Sequence, residues 1–247
     1  MNYIKDIENR ATFNKAGNIK LGNTWNFSTV YGDEIKSVFF NGATHSARGT
    51  CGKHCQGCKH DCYVKKSYRY PSVVYSHIKN TIAIRTDTAA AFHDLNAAIV
   101  NARKKPDIIR INQSGEIENG DIFRNWCELA TNHKNIKFWL YTKNYNVVIP
   151  ALLSGIVPDN MTVLISVWHE YGVDEYKKVA HLANVKAFVY DDNFDYKSAG
   201  VEIQTYCNAY KLDKNGKMKL NKNLTCEKCR KYFNRSKNNK IIGSLPH

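Results

Sequence analysis

A parallel β-sheet flanked by helices, an α/β fold, is the architecture to expect from this chain, and three observations point to it. Beyond Pro106, short apolar runs rich in β-branched and aromatic residues alternate with helical patterns of about a dozen residues, which is how repeated βαβ units read. With one strand before Pro106 and five after it, six can be counted, marked by Ile35, Ile108, Ile136, Val163, Val185 and Val201. The chain has 247 residues, 43% hydrophobic and 12% aromatic, enough to bury a large core without covalent staples. Six strands are too few for a complete eight-stranded barrel. The expectation is a partial (β/α)6 TIM-like barrel with a small cysteine-containing C-terminal extension.

The elements follow in order. Residues 1–24 are polar and weakly periodic and read as a lead-in. Glu34 to Phe40 reads as a first buried strand ending at the turn pair Asn41-Gly42. Pro71 opens an apolar-periodic helix to about Arg85, and Thr88 is placed to cap a second helix through Arg103 carrying Phe92, Leu95 and Ile99. Asp107–Ile111 is a strand. Asp121 is placed to cap a helix with Phe123, Trp126, Cys127 and Ala130 on its apolar face, where Cys127 is core. Strands at Ile136–Tyr141, Met161–Val167 and Val185–Tyr190 alternate with helices at Asn146–Gly155 and Asp174–Asn184, and Val201–Thr205 is the last strand before Cys207. The expected division is a lead-in (1–24), a barrel (25–206) and a basic metal-binding extension (207–247).

Composition narrows the class. Charges run through Met1 to Arg10, so no signal peptide is expected there. No apolar run approaches the roughly 20 residues of a membrane helix, and the expectation is a non-membrane, cytoplasmic protein whose thiols stay reduced and favour metals over disulfides. The net charge is +14, and between Lys211 and Lys240 eleven Lys or Arg face only Asp213 and Glu227. Such a segment is either a solvated tail or a surface for nucleic-acid phosphates.

Of the eight cysteines, Cys51, Cys55, Cys58 and Cys62 fall within twelve residues. Thiols so close cannot all pair as disulfides, but they can wrap one metal centre. The spacing C-x3-C-x2-C-x3-C lacks the paired knuckles of a zinc ribbon and is nearer to the compact runs that hold iron–sulfur clusters. A closed four-cysteine site that only pins the loop is the alternative. Arg48, Lys53, His54, Lys59 and His60 surround the thiols, and their charge is expected to lower the thiol pKa values. Near the other end, Cys226 and Cys229 form a C-x2-C knuckle, with Cys207 and the terminal His247 as further ligands of a second centre.

Cys51, Cys55 and Cys58 resemble the cysteine loop of radical S-adenosylmethionine enzymes, which also follows the first strand of an α/β chain. Gly57 stands where most members have an aromatic residue. Counting back from Cys62-Tyr63 gives a second register, Cys51, Cys58 and Cys62. Ser114-Gly115-Glu116 closes the second barrel strand, where enzymes of that type receive the methionine ammonium of the cofactor. Gly115 would allow close backbone approach and Glu116 a charge-assisted acceptor. Lys143 and Ser166, at the ends of the next two strands, are candidates for the cofactor carboxylate or ribose, and His169 for facing substrate.

Together, Thr50-Cys51, Cys58, Cys62-Tyr63, Arg110-Ile111, Ser114-Gly115-Glu116, Trp126 and Phe138–Lys143 resemble the phage "gene product 88" family, over Trp25 to His247. That family more often has Asp where this chain has Glu116. The resemblance implies a [4Fe–4S] cluster, S-adenosylmethionine and an electron donor, in a radical enzyme of unknown substrate working in the bacterial host cytoplasm. For the second centre, zinc suits the Cys3His set of Cys207, Cys226, Cys229 and His247, while the resemblance to radical enzymes implies an auxiliary iron–sulfur cluster there. The competing expectation is a non-catalytic, metal-stapled nucleic-acid-binding protein, with Tyr206, Tyr210, Tyr232 and Phe233 stacking bases among the basic residues.

Overall fold

The structure is a computed structural model that describes residues 10–15, 24–52, 58, 62–169, 171–190, 194–207, 210–212, 218–221, 224–233 and 240–244. Its centre is a seven-stranded sheet. β1 (Trp25–Asn26) pairs in parallel with β4 (Ile108–Ile111), and β5 (Lys137–Thr142), β6 (Met161–Trp168) and β7 (Val185–Tyr190) follow in sequence order. The order then departs from the sequence. β11 (Ile241–Ser244) inserts beside β7, and β8 (Thr205–Tyr206) lies outside it, both in parallel register. A second two-stranded sheet pairs β9 (Tyr210–Leu212) with β10 (Met218–Leu220).

Five helices link these strands or precede them. α1 (Pro71–Thr86) begins with proline at its first position, where the missing N–H costs nothing. α2 (Thr88–Val100) is capped by Asp87, which accepts from the Ala90 N–H at 2.9 Å, and α3 (Gly120–Asn132) by Asn119, which accepts from Ile122 at 2.9 Å. α4 (Tyr145–Leu153) and α5 (Val173–Val179) follow β5 and β6. The caps thus sit one and two residues before the Thr88 and Asp121 that the sequence suggests.

Alternation along the strands sorts side chains onto two faces. Ile109, Ile111, Phe138, Leu140, Val163, Ile165, Ala187 and Val189 pack with the helices around Trp126. Ile108, Trp139, Leu164 and Ile242 point the other way, where Tyr232 covers them, joined by Tyr141, Phe188, Cys207, Cys226 and Phe233. β4 is buried at every residue and β6 at all but its last, as expected of strands covered on both sides.

Two strand expectations are corrected. Ile35–Phe40 (β2) is not the first strand of the sheet. It forms an antiparallel hairpin with β3 (Ala43–Arg48), across Asn41 and Gly42 at φ 50° and 79°. Two positive φ values suit the tight turn that closes a twisted hairpin, so the Asn-Gly pair makes a hairpin rather than a strand end. Ile35 and Phe39 are 69% and 70% exposed, while Val38 and Ala47 pack on α1 through Val74 and Ile78. The strand before Cys207 is Thr205–Tyr206 rather than Val201–Thr205, and it is not the last, since β11 joins the sheet after it; Val201 is buried in the helix-side core without strand pairing. Within the polar lead-in, Ala11 and Phe13 are buried, and Thr12 N–H donates to Asn80 Oδ1 at 2.9 Å. Among the described residues no helix is long and apolar enough to cross a membrane.

Candidate functional site

Three chain segments meet at the C-terminal edge of β1 and β4. After β1 the chain runs alongside the β4 end: Phe27 N–H donates to Arg110 O at 2.9 Å, and Thr29 N–H to Ser114 O at 3.0 Å. The hairpin then returns the chain, so that Thr50 N–H donates to Val30 O and Cys51 N–H to Gly32 O, both at 2.9 Å. The Thr29 and Thr50 hydroxyls lie 2.9 Å apart, and Thr50 Oγ1 accepts from the Glu116 N–H at 2.8 Å. Gly115 sits at φ 79°, and a Cβ there would fall 2.0 Å from Thr29 Oγ1 and 2.4 Å from Thr50 Oγ1. Its role is this internal close approach between the cysteine loop and the β4 end. Ser114 serves the same junction, its hydroxyl donating to Thr29 O at 2.8 Å.

Glu116 is thereby held in the interior with both carboxylate oxygens occupied. Thr142 Oγ1 donates to Oε2 and the Lys143 N–H to Oε1, each at 2.9 Å. Burial pushes its carboxyl above the usual range, opposed by the charge of Lys143, that backbone N–H and the Thr142 hydroxyl, while Cys58 adds to the rise. Burial likewise pushes the Cys51 thiol up to about 12; Glu116 adds to this, and Lys143 opposes it. Cys62 shares a side-chain hydrogen bond with Cys58 and is pushed upward by it and by burial. Cys51, Cys58, Cys62, Glu116 and Lys143 therefore act on one another electrostatically at one end of the sheet.

Those thiol shifts run against the lowering expected from the basic residues of the loop, because desolvation dominates at Cys51. Arg48 is engaged elsewhere, its Nε donating to Asp33 O at 2.8 Å. Lys53, His54, Cys55, Gly57, Lys59 and His60 lie outside the described residues. The choice between the two ligand registers therefore lies outside them too, since only Cys51, Cys58 and Cys62 can be compared. Among the described residues no three His, Cys, Asp or Glu stand at metal-holding spacing. Chemically, three thiols beside a buried carboxylate remain a soft donor set suited to iron or zinc.

The flank of the site is braced by Arg85 of α1. Its guanidinium grips Glu118 through Nε (2.9 Å) and Nη2 (2.6 Å) and donates to the carbonyls of Arg48 (2.7 Å) and Gly49 (3.1 Å). The fork joins the start of the cysteine loop to the loop after β4. Asp33, Arg48, Thr50, Gly52, Arg85 and Glu118 line a cleft of about 360 Å³ beside that junction.

Later strand ends contribute unequally. Lys143 Nζ lies 5.5 Å from the centroid of the Trp168 ring, which stacks on Tyr190 at 4.0 Å. Ser166 is buried on the Leu164 side of β6, and its carbonyl accepts from Tyr145 Oη at 2.5 Å. His169 follows β6 at φ 50°, its N–H donating to Tyr196 Oη at 2.9 Å and its ring edge-on to Phe194.

The second cysteine group lies on the sheet face opposite the helices. Cys226 and Cys229 bound a one-turn helix, α6 (Cys226–Cys229), capped by Thr225. With Cys207 and Tyr232 they line a cavity of about 10 Å³, and Cys207 Sγ is 3.5 Å from Tyr232 Oη. Tyr232 is buried and stacks on Trp139 at 4.4 Å, so it is not available to stack a base. Tyr206 is exposed and Phe233 partly buried; Tyr210's side chain and His247 lie outside the described residues.

The family model described as Gene product 88 matches residues 8–235. The chain belongs to the gene product 88 family. That makes it a phage protein by kinship, and the match spans both cysteine groups except His247. No curated protein and no solved structure matches the chain. In this gene product 88 chain, sequence reasoning found Glu116, Lys143 and the thiols, held Thr50 and Thr142 only as parts of motifs without a role, and missed Thr29 and Arg85. The roles of these hydroxyls are not written in any motif, because the partners that define them lie 21 to 85 residues away. Arg110, also missed as a site residue, did leave a signal: a lone cation inside Ile-Ile-Arg-Ile.

Proposed function

We propose that this chain is a radical S-adenosylmethionine-type enzyme acting on an unidentified substrate in the phage's host cytoplasm, with its parallel sheet forming a partial (β/α)6 barrel. Three thiols of the cysteine loop would hold a [4Fe–4S] cluster; Cys51, Cys58 and Cys62 are the described set, and Cys55 is the further choice. When bound and reduced by an external donor, such a cluster supplies the electron that splits S-adenosylmethionine into methionine and a 5′-deoxyadenosyl radical.

The observation that carries the reading is the buried carboxylate of Glu116, fixed at the end of a parallel strand within electrostatic reach of Cys51 and Cys58. The C-terminal ends of such strands are where α/β proteins place ligands. Glu116 has the charge to accept an ammonium, and Thr142 with the Lys143 N–H stops it from turning away. Lys143, beside it, has the charge to meet a carboxylate. Ser114 and Gly115 keep the β4 end locked to the cysteine loop, so that ligand donors and carboxylate keep a fixed separation. Ser166 faces the same side of the sheet one strand further on, where a hydroxyl can meet a ribose. The cleft of about 360 Å³ beside Thr50 and Gly52 is large enough to admit a ligand of nucleoside size.

The test is anaerobic reconstitution with iron and sulfide, followed by assay of 5′-deoxyadenosine with dithionite and S-adenosylmethionine. Cluster absorption and product are expected in the parent chain. Glu116→Gln should keep the cluster and weaken cofactor binding about 10–100-fold, the loss of one charge-assisted hydrogen bond. A parent chain that takes up no cluster, or a Glu116→Gln variant that cleaves cofactor as well as the parent, overturns the reading.

A further inference from the structure

Arg110 presents an electrostatic problem. It lies in the middle of β4, is 9% exposed, and points to the side of the sheet away from the helices. Its Nη2 donates to Tyr63 Oη at 3.1 Å, while its Nε has no partner among the described residues. Trp139 and Tyr141 flank the guanidinium, with ring centroids 5.0 and 4.9 Å away. Ring faces attract a cation but do not replace a counter-charge, and burying an unpaired ion costs several kcal/mol. Among the described residues no carboxylate pairs with it. Trp139, over which the guanidinium lies, stacks on Tyr232 at 4.4 Å, and Tyr232 in turn lines a cavity with Cys226, one of the ionisable groups acting on Arg110.

Of these, Cys226 belongs to a set. Cys207, Cys226 and Cys229 all line the same cavity, closed on one side by Tyr232 and Ile242. Its volume of about 10 Å³ admits a single ion or water and excludes a phosphate or a carboxylate ligand. The three residues come from two places in the fold, the end of β8 and the one-turn α6, and Tyr232 and Phe233 seat α6 against the sheet.

We propose that Cys207, Cys226 and Cys229 bind one thiophilic divalent cation, zinc in the first instance, and that Arg110 supplies the positive charge that balances its thiolates. On binding, three thiols release three protons to solvent. Three thiolates on a doubly charged ion leave one net negative charge, which the guanidinium neutralises, and a water takes the fourth position. In the structure the three cysteines line the cavity without standing at ligand spacing; loading would draw their sulfurs together on the ion. The site is structural: it pins the C-terminal segment across the open face of the sheet. It does not depend on the chemistry proposed for Cys51, Cys58 and Cys62.

The experiment is differential alkylation of the full chain. Metal-stripped, reduced protein is titrated with zinc alone, treated with iodoacetamide, and mapped cysteine by cysteine by mass spectrometry. Cys207, Cys226 and Cys229 should lose reactivity together at one equivalent, while Cys127 stays unchanged. Protection confined to Cys51, Cys58 and Cys62, or no protection at all, overturns the proposal; the first of these leaves the cysteine loop's own metal chemistry standing. Arg110→Met should weaken zinc about 10–100-fold, the range for losing a partner just outside the ligands. Arg110→Lys should restore most of it. Equal zinc affinity in Arg110→Met and the parent removes the charge-balancing role. Should Arg110→Met fail to fold, the alkylation pattern of the parent chain decides.

Discussion

The two faces of the sheet are built from different chemistry. On the helix side, aliphatic strand residues and Trp126, Phe27, Phe92 and Phe123 fill space with no buried charge among them. Trp126 meets Phe27 and Phe92 edge-on at 5.2 and 5.0 Å. On the opposite side the strands present Arg110, Trp139, Tyr141 and Phe188, and a short C-terminal segment covers them. One face gains its stability from volume and shape, the other from stacked rings and a cation in need of a counter-charge. The first tolerates no change of size; the second is open to control by whatever occupies it.

Substitution on the helix side should therefore cost most. Trp126→Ala removes a fully buried side chain from an aromatic cluster and should destabilise by about 3–5 kcal/mol, read by denaturant unfolding. A loss under about 1 kcal/mol would mean that this face is not the principal core.

Acid should strike α1 where it packs beside the hairpin. His77 of α1 is buried, its Nδ1 3.2 Å from Tyr68 Oη, and burial lowers its pKa to about 4. The folded state therefore holds the ring neutral while the unfolded chain protonates near 6.5. This contribution is complete above pH 6.5 and is lost as pH falls toward 4, by at most about 3 kcal/mol. His77→Gln should flatten that part of the melting profile, and an unchanged slope would place acid sensitivity elsewhere.

The smallest effect is expected opposite. Tyr232→Leu gives up the stack on Trp139 and should cost about 1–2 kcal/mol. Its mark would be local, with faster hydrogen exchange in β8 and β11 than in β4 to β6. Uniform acceleration across the sheet would erase the distinction between the faces.

The same contrast governs what could be read from sequence. β4, β5, β6 and β7 were legible because strands buried on two sides write long apolar runs, and α3 because its apolar residues recur at helical spacing. β1 is two residues long and too brief for any period. β2 looks like a sheet strand until its Asn-Gly turn is given its full meaning as a hairpin. β11 pairs with residues 37 and 54 positions before it, and nothing in Ile-Ile-Gly-Ser announces that insertion. At the site, Glu116 and Lys143 were legible by position after strands. The roles of Thr29, Thr50 and Thr142 were not, since a hydroxyl becomes meaningful only when distant segments meet.

The placement of β11 sets an order of events during synthesis. Among the described strands β8 pairs with the sheet through β11 alone, so its place is reserved but unpaired until Ile241–Ser244 have left the ribosome. Until then the edge of β7 is bare, and a nascent chain at that stage carries an adhesive border able to capture a neighbour. The arrival of β11 is in this sense that of a keystone, and termination just before it should yield aggregates rather than a smaller folded protein.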